Sequence, residues 1–295
     1  MKFKKGMKFK MKFKMIDLHC HTNKSDNSMD TYEILKIAER IGIKYLAITD
    51  HDTTLAIDEA IRLGRQLGIE IIPGIEISAF DYLTNKMVHI LGYYIDHKSS
   101  FLNSLCKPMI KMRNELSKNI VKHMIDLGYD ICWELVKNYA KGSSCVNKKH
   151  IMQAMLDKGY RGDSPTDIYN KMLQFNLKGG MKYLDVNEAI KAISLAGGVP
   201  VLAHPGVFDN YDSIENLVEV GLKGIEVEHP SHLESDKVIC KLYCNKFNLI
   251  ETGGSDFHGI YGGVRNLLGC SNIDLGVINQ LKEKSNCETY NLKVV

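Results

Sequence analysis

Long apolar runs are absent from this chain of 295 residues, and no secretory signal pattern opens it. A membrane-spanning helix needs about 20 apolar residues in a row. Neither membrane insertion nor export is therefore expected, and the expected compartment is the cytoplasm. The eight cysteines are scattered, with no Cys-x-x-Cys pair, which fits reduced thiols better than a disulfide framework. Cys240 and Cys244 stand one helical turn apart, a spacing that suits helix packing. Acidic residues are missing from residues 1–14 (MKFKKGMKFKMKFK), which carry seven lysines. Subtracting those seven charges from the formal net charge of +3 leaves −4 for the remainder. The body of the chain is thus mildly acidic, which argues against a general nucleic-acid binder. The lysine-rich start reads as a solvated extension or a Lys-rich edge strand. Binding to a phosphate-rich partner is the alternative, and Met7, Met11 and Met15 are further possible starts.

What is present is ordinary in bulk. Hydrophobic content is 44% and charged content 25%, as in soluble globular proteins, and the length suffices for one large domain or one domain with a sizeable insert. From residue 15 the pattern is strand, loop, helix, repeated. Asp30-Thr31-Tyr32-Glu33 reads as a capping box, Ile34, Leu35, Ala38 and Ile41 form a helical apolar stripe, and Gly42 ends that helix. Strands are predicted over 44–49, over 69–72 running on through 78, and over 87–95, with a helix over 55–67. From about 98 to 182 the strand signals fade. Leu116, Ile120, Met124 and Leu127, then Ile151, Met155 and Leu156, take helical spacing, punctuated by Gly128, Gly142 and Gly159. Trp133 and Tyr139 are expected in the core of that stretch. Alternation resumes with a helix over 187–196, strands over 199–203 and 224–228, a helix over 234–247 and a strand over 249–252. Such alternation predicts an α/β fold with a parallel sheet closed into a barrel, whose active site lies at the C-terminal strand ends.

Nine residues of metal-binding type fall at or near those ends: His19, His21, Asp26, His51, Glu76, His89, His204, Asp256 and His258. Residues two apart on a strand share a face, so His19 and His21 point together while Cys20 points away. Imidazoles with carboxylates suit Zn²⁺, Mn²⁺ or Fe²⁺. Asp50 and Asp52 flank His51 and serve either to orient a ligand or to cap the loop. His229 follows a strand at the same end; it is a candidate to protonate a leaving group or a structural residue beside Pro230. His97, His123 and His232 are expected at the surface.

Five ordered motifs, Asp17-Leu18-His19-Cys20-His21-Thr22, Ile48-Thr49-Asp50-His51-Asp52, Gly74-Ile75-Glu76-Ile77-Ser78, Ala203-His204-Pro205 and Gly254-Ser255-Asp256-Phe257-His258, resemble the polymerase and histidinol phosphatase (PHP) family. The resemblance runs from about Met15 to the last strand. It implies a distorted (β/α)7 barrel and three divalent metal ions, with Mn²⁺, Fe²⁺ or Zn²⁺ equally acceptable. His19, His21, Glu76 and Asp256 would hold one ion. Glu76, His89 and His204 would hold a second, and Asp26, His51 and His258 a third. Asn27 departs from the glycine usual after the aspartate; Asn tolerates a left-handed backbone, so the turn is expected to survive. The implied chemistry is phosphoester hydrolysis by a water that the ions acidify.

The resemblance also divides the chain into the extension 1–14, a metal-binding barrel over 15–97 and 186–295, and a helical insert over 98–185 that forms a substrate cap. That insert, with Gly180-Met181-Lys182-Tyr183-Leu184 and the Ala196–Gly206 segment, resembles the branch that removes the 3′-phosphate from nucleoside 3′,5′-bisphosphates. Some members of that branch trim short RNA from its 5′ end. The phosphate contacts implied are Ser78, Arg113 and His150, with Arg265 a further candidate. Lys148 and Lys149 stand where relatives carry arginine, and lysine loses bidentate geometry. The expected partner is a small phosphorylated compound, a nucleotide or short oligonucleotide, with no membrane and no obligate protein partner. The rivals are a histidinol-phosphate phosphatase, a nuclease on oligonucleotides, and a metal-binding accessory module without turnover.

Overall fold

The computed structural model describes residues 15–160, 168, 170–172 and 183–286. The lysine-rich start and Gly180-Met181-Lys182 lie outside them. Seven strands form a nearly closed barrel in chain order: β1 (Ile16–Asp17), β2 (Tyr45–Ile48), β3 (Glu70–Asp81), β4 (Lys86–Tyr93), β6 (Val199–Leu202), β7 (Gly224–Glu228) and β8 (Ile250–Gly253), while the short β5 (Leu184–Asp185) pairs with β3 outside that path. A bridge between Cys20 and Phe257 brings the first and last strands together, with the His21 N–H donating to the Phe257 carbonyl at 3.2 Å.

The expected all-parallel sheet is not what forms. β4 runs antiparallel to both β3 and β6, and the other pairs of the barrel path are parallel. The reason is the connection. Only residues 82–85 separate β3 from β4, which is enough for a hairpin, whereas a parallel neighbour needs a crossover of a dozen residues or more. Glu76 and His89 accordingly sit within long paired strands and not just past their ends. The first strand is shorter than expected, stopping at Asp17. Cys20 still packs with Ile34, Leu35 and Leu46 on the helix side, so His19 and His21 share the inner face.

The helices follow the sequence closely. α1 (Thr31–Ile41) starts on the predicted capping box, with both reciprocal bonds at 2.9 Å, and ends on Gly42 in the left-handed region. Losing the Asp30 cap would cost about 1 kcal/mol. α2 (Ile57–Leu67) joins α1 over one side of the sheet around Ile34, Leu35, Ala60 and Ile48. Truncating a buried leucine such as Leu35 to alanine there would cost about 2–5 kcal/mol. α6 (Val186–Leu195), α8 (Ile214–Val220) and α9 (Glu234–Phe247) cover the other side, where Cys240 and Cys244 serve as packing residues. The short α7 (Pro205–Phe208) follows β6. α10 (Gly276–Lys284) plugs the N-terminal mouth, its Val277, Ile278 and Leu281 meeting Ile16, Tyr93, Val199 and Ile250. The barrel interior is thus filled from below, leaving its C-terminal end for chemistry.

Between β4 and β5 come α3 (Ser100–Asp126), α4 (Trp133–Tyr139) and α5 (Lys148–Asp157). Leu102 and Cys106 of α3 belong to the barrel-side core. Its far half, Ile120, Val121 and Met124, belongs to a separate core with Val136, Ile151 and Met155, against which Trp133 and Tyr139 pack. Pro108 lies where α3 passes from one core to the other. No helix among the described residues is long and apolar enough to cross a membrane.

Candidate metal centre

The chain reaches the C-terminal mouth of the barrel several times, and each time it delivers polar side chains into one buried cluster. Glu76 lies at the centre. Its Oε2 stands 3.3 Å from His19 Nε2, 3.2 Å from His21 Nε2 and 3.1 Å from His51 Nδ1. Its Oε1 stands 2.8 Å from His89 Nδ1 and 3.0 Å from His204 Nε2. Asp256 Oδ1 lies 3.4 Å and 3.1 Å from His19 and His21 Nε2, which are themselves 3.2 Å apart. Asp26 Oδ1 meets His258 Nε2 at 3.1 Å and lies 3.7 Å from His21 Nδ1. All nine ligand candidates therefore come together.

These spacings fit cations. Ligand atoms held about 2.0–2.2 Å from one ion at tetrahedral or octahedral angles lie about 3.0–3.5 Å from one another. Three groups satisfy mutual closeness: His19, His21 and Glu76; His51, Glu76 and His89; and His21, Asp26, His51 and His258. The polar atoms are also underused. Glu76 Oε2, His51 Nδ1, His204 Nδ1, His229 Nε2 and His258 Nε2 are buried without a hydrogen-bond partner, a costly state that an ion relieves.

The charges agree. Burial pushes the Glu76 carboxyl up, yet the imidazoles of His51, His19 and His89 outweigh it and hold the group well below its ordinary value. Burial likewise opposes ionisation of Asp26 and Asp256, and His258 with its neighbours more than reverses it. Burial, helped by His21 and His89 beside His51 and by Lys149 and His21 beside His258, lowers both imidazoles and favours the neutral form, in which imidazole binds metal. His19 and His21 are pulled up against burial, His19 by Glu226, Glu76 and Asp256, and His21, to about 9, by Asp256 and Glu76. Divalent ions would take over the role of those protons.

A supporting layer fixes the candidate ligands. Glu226, fully buried on β7, holds His19 Nδ1 at 3.0 Å and accepts the His204 backbone N–H at 2.9 Å. Sequence reasoning missed it. The signal was the alternation in Gly224-Ile225-Glu226-Val227: Ile225 and Val227 face the helices, so Glu226 must face the barrel interior. Asp50 accepts from the Thr22 N–H and hydroxyl, both at 2.7 Å, and from the Ser25 hydroxyl at 2.5 Å, pinning the loop that carries Asp26. Asn27 does not take the left-handed backbone for which its tolerance was read. It uses its side chain instead, donating to the His21 and Phe257 carbonyls at 2.9 and 3.0 Å. Gly254 packs so tightly under His19 that a Cβ would lie 2.2 Å from His19 Cβ. Asp52, His204 and Asp256 take positive φ, strain of the kind that clusters at functional sites.

A cavity of about 460 Å³ opens above the cluster. Ser78 and Arg113 both line it. Arg113 Nη2 donates to Ser78 Oγ at 2.5 Å and to Asp52 Oδ2 at 2.8 Å, and the Arg113 Nε reaches the same oxygen at 3.1 Å. His229 also lines it, with Nε2 3.5 Å from Asp256 Oδ2. The other two expected phosphate contacts stand elsewhere. His150 is absent from the cavity lining; as the N3 residue of α5 its Nδ1 accepts the Asn147 N–H at 3.3 Å, and burial lowers its imidazole to about 4. Lys148 and Lys149 line the cavity in its place. Arg265 is exposed on the loop after His258, outside the lining. His232 is buried, not at the surface, its Nδ1 donating to the Val227 carbonyl at 2.9 Å and its Nε2 accepting the Gly206 N–H at 3.2 Å.

A family model described as the PHP domain matches residues 17–190. The chain belongs to the PHP domain family. Among proteins similar to this PHP chain is a phosphoribosyl 1,2-cyclic phosphate 1,2-diphosphodiesterase of Eggerthella lenta, 36% identical over 84% of this chain and 95% of the relative. A 3′,5′-nucleoside bisphosphate phosphatase of Chromobacterium violaceum is 29% identical over 85% and 90% of the two chains. The solved structure of a metal-dependent phosphoesterase, described as putative, from Bifidobacterium adolescentis superimposes with a TM-score of 0.80 at 26% identity, covering 91% of this chain and 96% of that one. The PHP chain is accordingly a phosphoester hydrolase of the metal-dependent kind, with the nitrogen and oxygen ligand set that this chemistry needs.

Proposed function

We propose that this PHP chain hydrolyses a phosphoester on a small ribose compound bearing a second phosphate, with nucleoside 3′,5′-bisphosphates as the first candidate and the 3′-phosphate as the group removed. The observation that carries this is the pairing, in one cavity, of the Glu76 cluster with cationic side chains that do not belong to it: Arg113 on Ser78, with Lys148 and Lys149 beside them. One region suits the reacting phosphate and the other a second anion. Three divalent cations, Mn²⁺ among the candidates, are assigned to the three ligand groups: His19, His21, Glu76 and Asp256; Glu76, His89 and His204; and Asp26, His51 and His258. When bound, such ions acidify water into a nucleophile at neutral pH and neutralise phosphate oxygens.

The chain's own residues do the rest. Arg113, held by Asp52 from behind, presents its guanidinium with the Ser78 hydroxyl to a phosphate oxygen. Ser231 donates its N–H to His229 Nδ1 at 3.1 Å, so the neutral ring carries its proton on Nε2, aimed at the cavity beside Asp256. We assign the His229 Nε2–H as a hydrogen-bond donor to the leaving oxygen, where it stabilises the charge that develops as the ester bond breaks. The mouth, lined in part by the insert, fits a small substrate better than a long strand, and its cationic side chains disfavour an amine such as histidinol phosphate. The cytoplasm remains the proposed compartment.

A second reading is favoured by the greater identity to the Eggerthella lenta protein than to the Chromobacterium violaceum one, 36% against 29%: the substrate is then a ribose with a cyclic phosphate. The test is product analysis with Mn²⁺ present, following inorganic phosphate, ring-opened phosphomonoester and freed mononucleotide, and comparing adenosine 3′,5′-bisphosphate, phosphoribosyl 1,2-cyclic phosphate, histidinol phosphate and a short RNA. A preference for the bisphosphate of about a hundredfold, or about 2.7 kcal/mol, supports the first reading. The same preference for the cyclic compound selects the second. Preference for histidinol phosphate or the short RNA, or no hydrolysis of any of the four, overturns both.

A further inference from the structure

We propose that Lys149 is a built-in competitor for the third cation, binding Asp26 from the insert and making that site weaker than the other two. Asp26 has two oxygens with two different neighbours. Oδ1 faces His258 Nε2 at 3.1 Å and belongs to the ligand group. Oδ2 accepts from the Lys149 ammonium at 3.0 Å. Both partners are mostly shielded, with side chains 11% and 23% exposed, so the ammonium's charge is poorly screened at the site it faces.

The contact is part of a built junction. Ser144 N–H donates to the Lys24 carbonyl at 2.8 Å, Ser143 Oγ donates to the Ser25 carbonyl at 2.6 Å, and Asn147 Nδ2 reaches the same carbonyl at 3.0 Å. The segment that opens α5 therefore grips the loop carrying Asp26 and aims Lys149 at it. Asn147 also caps α5, accepting from the Lys149 and His150 N–H groups, which fixes where the Lys149 stem begins. No other ammonium or guanidinium among the described residues pairs with a candidate ligand carboxylate of the cluster: the remaining ionisable partners of Glu76, Asp26 and Asp256 are imidazoles, and the Ser25 hydroxyl donates to Asp26 Oδ1 at 3.4 Å.

The consequence is a difference among the ligand groups. The ions on Glu76 meet no ammonium, because Glu76 touches only imidazoles. A divalent ion on Asp26 and His258 must either coexist with the ammonium on the same carboxylate or displace it into the cavity. Both routes weaken binding. An ammonium driven into the cavity would also be free to meet a substrate phosphate.

The inference rests on the three-cation reading, and the experiment separates the two. The purified chain is dialysed against a series of free Mn²⁺ concentrations and the bound metal is counted by elemental analysis, with calorimetric titration as a second readout. Lys149→Met removes the charge and keeps the length of the stem, Lys149→Arg keeps the charge, and Lys148→Met removes a neighbouring charge that has no contact with Asp26. The expected result is two ions held tightly by the unmodified chain and a third held more weakly. In Lys149→Met the third tightens at least tenfold while the first two are unchanged. Lys149→Arg and Lys148→Met behave as the unmodified chain does. A third ion whose affinity is the same or weaker in Lys149→Met overturns the role of Lys149 while leaving three cations in place. No third ion in any of the four proteins overturns the three-cation reading and this inference with it.

Discussion

The barrel and the insert contribute to one cavity by different means. The barrel supplies its groups from the inner face of a nearly closed sheet: His19, His21, Glu76 and Glu226 are almost completely buried and hold one another at hydrogen-bonding distance. Their positions follow from strand register. The insert supplies Arg113, Lys148 and Lys149 from helices built on a core of their own. Their positions follow from how that core docks on the barrel. In the proposed function the barrel would hold the cations and the insert would contact the rest of the substrate. The two packing units meet at Asp26 and Asp52.

That division is most severely tested at Glu76. Glu76→Ala removes both oxygens that five imidazoles face, so two cations should be lost in elemental analysis and turnover should fall at least about a thousandfold. Full metal content in this variant would mean that the barrel does not depend on its central carboxylate. Next comes Glu226→Gln, which leaves every proposed ligand in place but weakens the partner of His19 Nδ1. Metal affinity should drop about 10–100-fold, as is typical when the group behind a ligating histidine is changed, with KM for substrate little altered at saturating metal. An unchanged metal titration would make Glu226 a packing residue only.

Arg113→Gln should show the reverse pattern. Metal content stays constant while KM rises about 10–100-fold, the worth of a charged hydrogen bond or two. A loss of metal instead would blur the boundary between the two units. The smallest effect concerns His150 and stability alone. Burial holds its folded imidazole at about 4, below the ordinary value near 6.5. Between those values the unfolded chain takes a proton that the folded chain refuses. The stabilisation is therefore complete above about pH 6.5 and is lost as the pH falls toward 4. The full loss is about 3 kcal/mol. Glutamine keeps the acceptor at this capping position, so His150→Gln should flatten that part of the stability profile, measured by denaturant unfolding of both proteins at pH 7 and pH 4.5. Parallel profiles would show that His150 is not the group responsible.

The barrel was largely legible in the sequence because its information is local. A strand, a turn and a ligand lie within a few residues of one another, and alternation tells which side chains share a face. His19 and His21 could be placed together, and Cys20 away from them, from that rule alone. What escaped depends on contacts between distant segments. The reversed direction of β4 was hidden because its run of apolar residues looks the same in either direction; the brevity of residues 82–85 was the available clue. Glu226 was hidden inside a strand read only for what followed it. His150 and Lys149 are one residue apart on α5, and pattern alone could not say which would turn inward toward a capping role and which would reach Asp26. Asn27 was read for its backbone tolerance when its amide was the part in use.

The hairpin that reverses β4 sends the chain to the closed end of the barrel, so everything the insert contributes must be carried back to the open end. α3 makes that journey. Its 27 residues span about 40 Å at 1.5 Å per residue, with Leu102 and Cys106 anchored on the barrel and Arg113 partway along. The guanidinium arrives over the cluster because the number of residues between anchor and arginine sets both its height and its angle around the helix axis. One residue more or less before Arg113 would swing it by about 100°. On the proposed role of Arg113, substrate preference would be stored as the phase of a single helix, a quantity that insertions and deletions far from the mouth would reset while the cluster below it stays as it is.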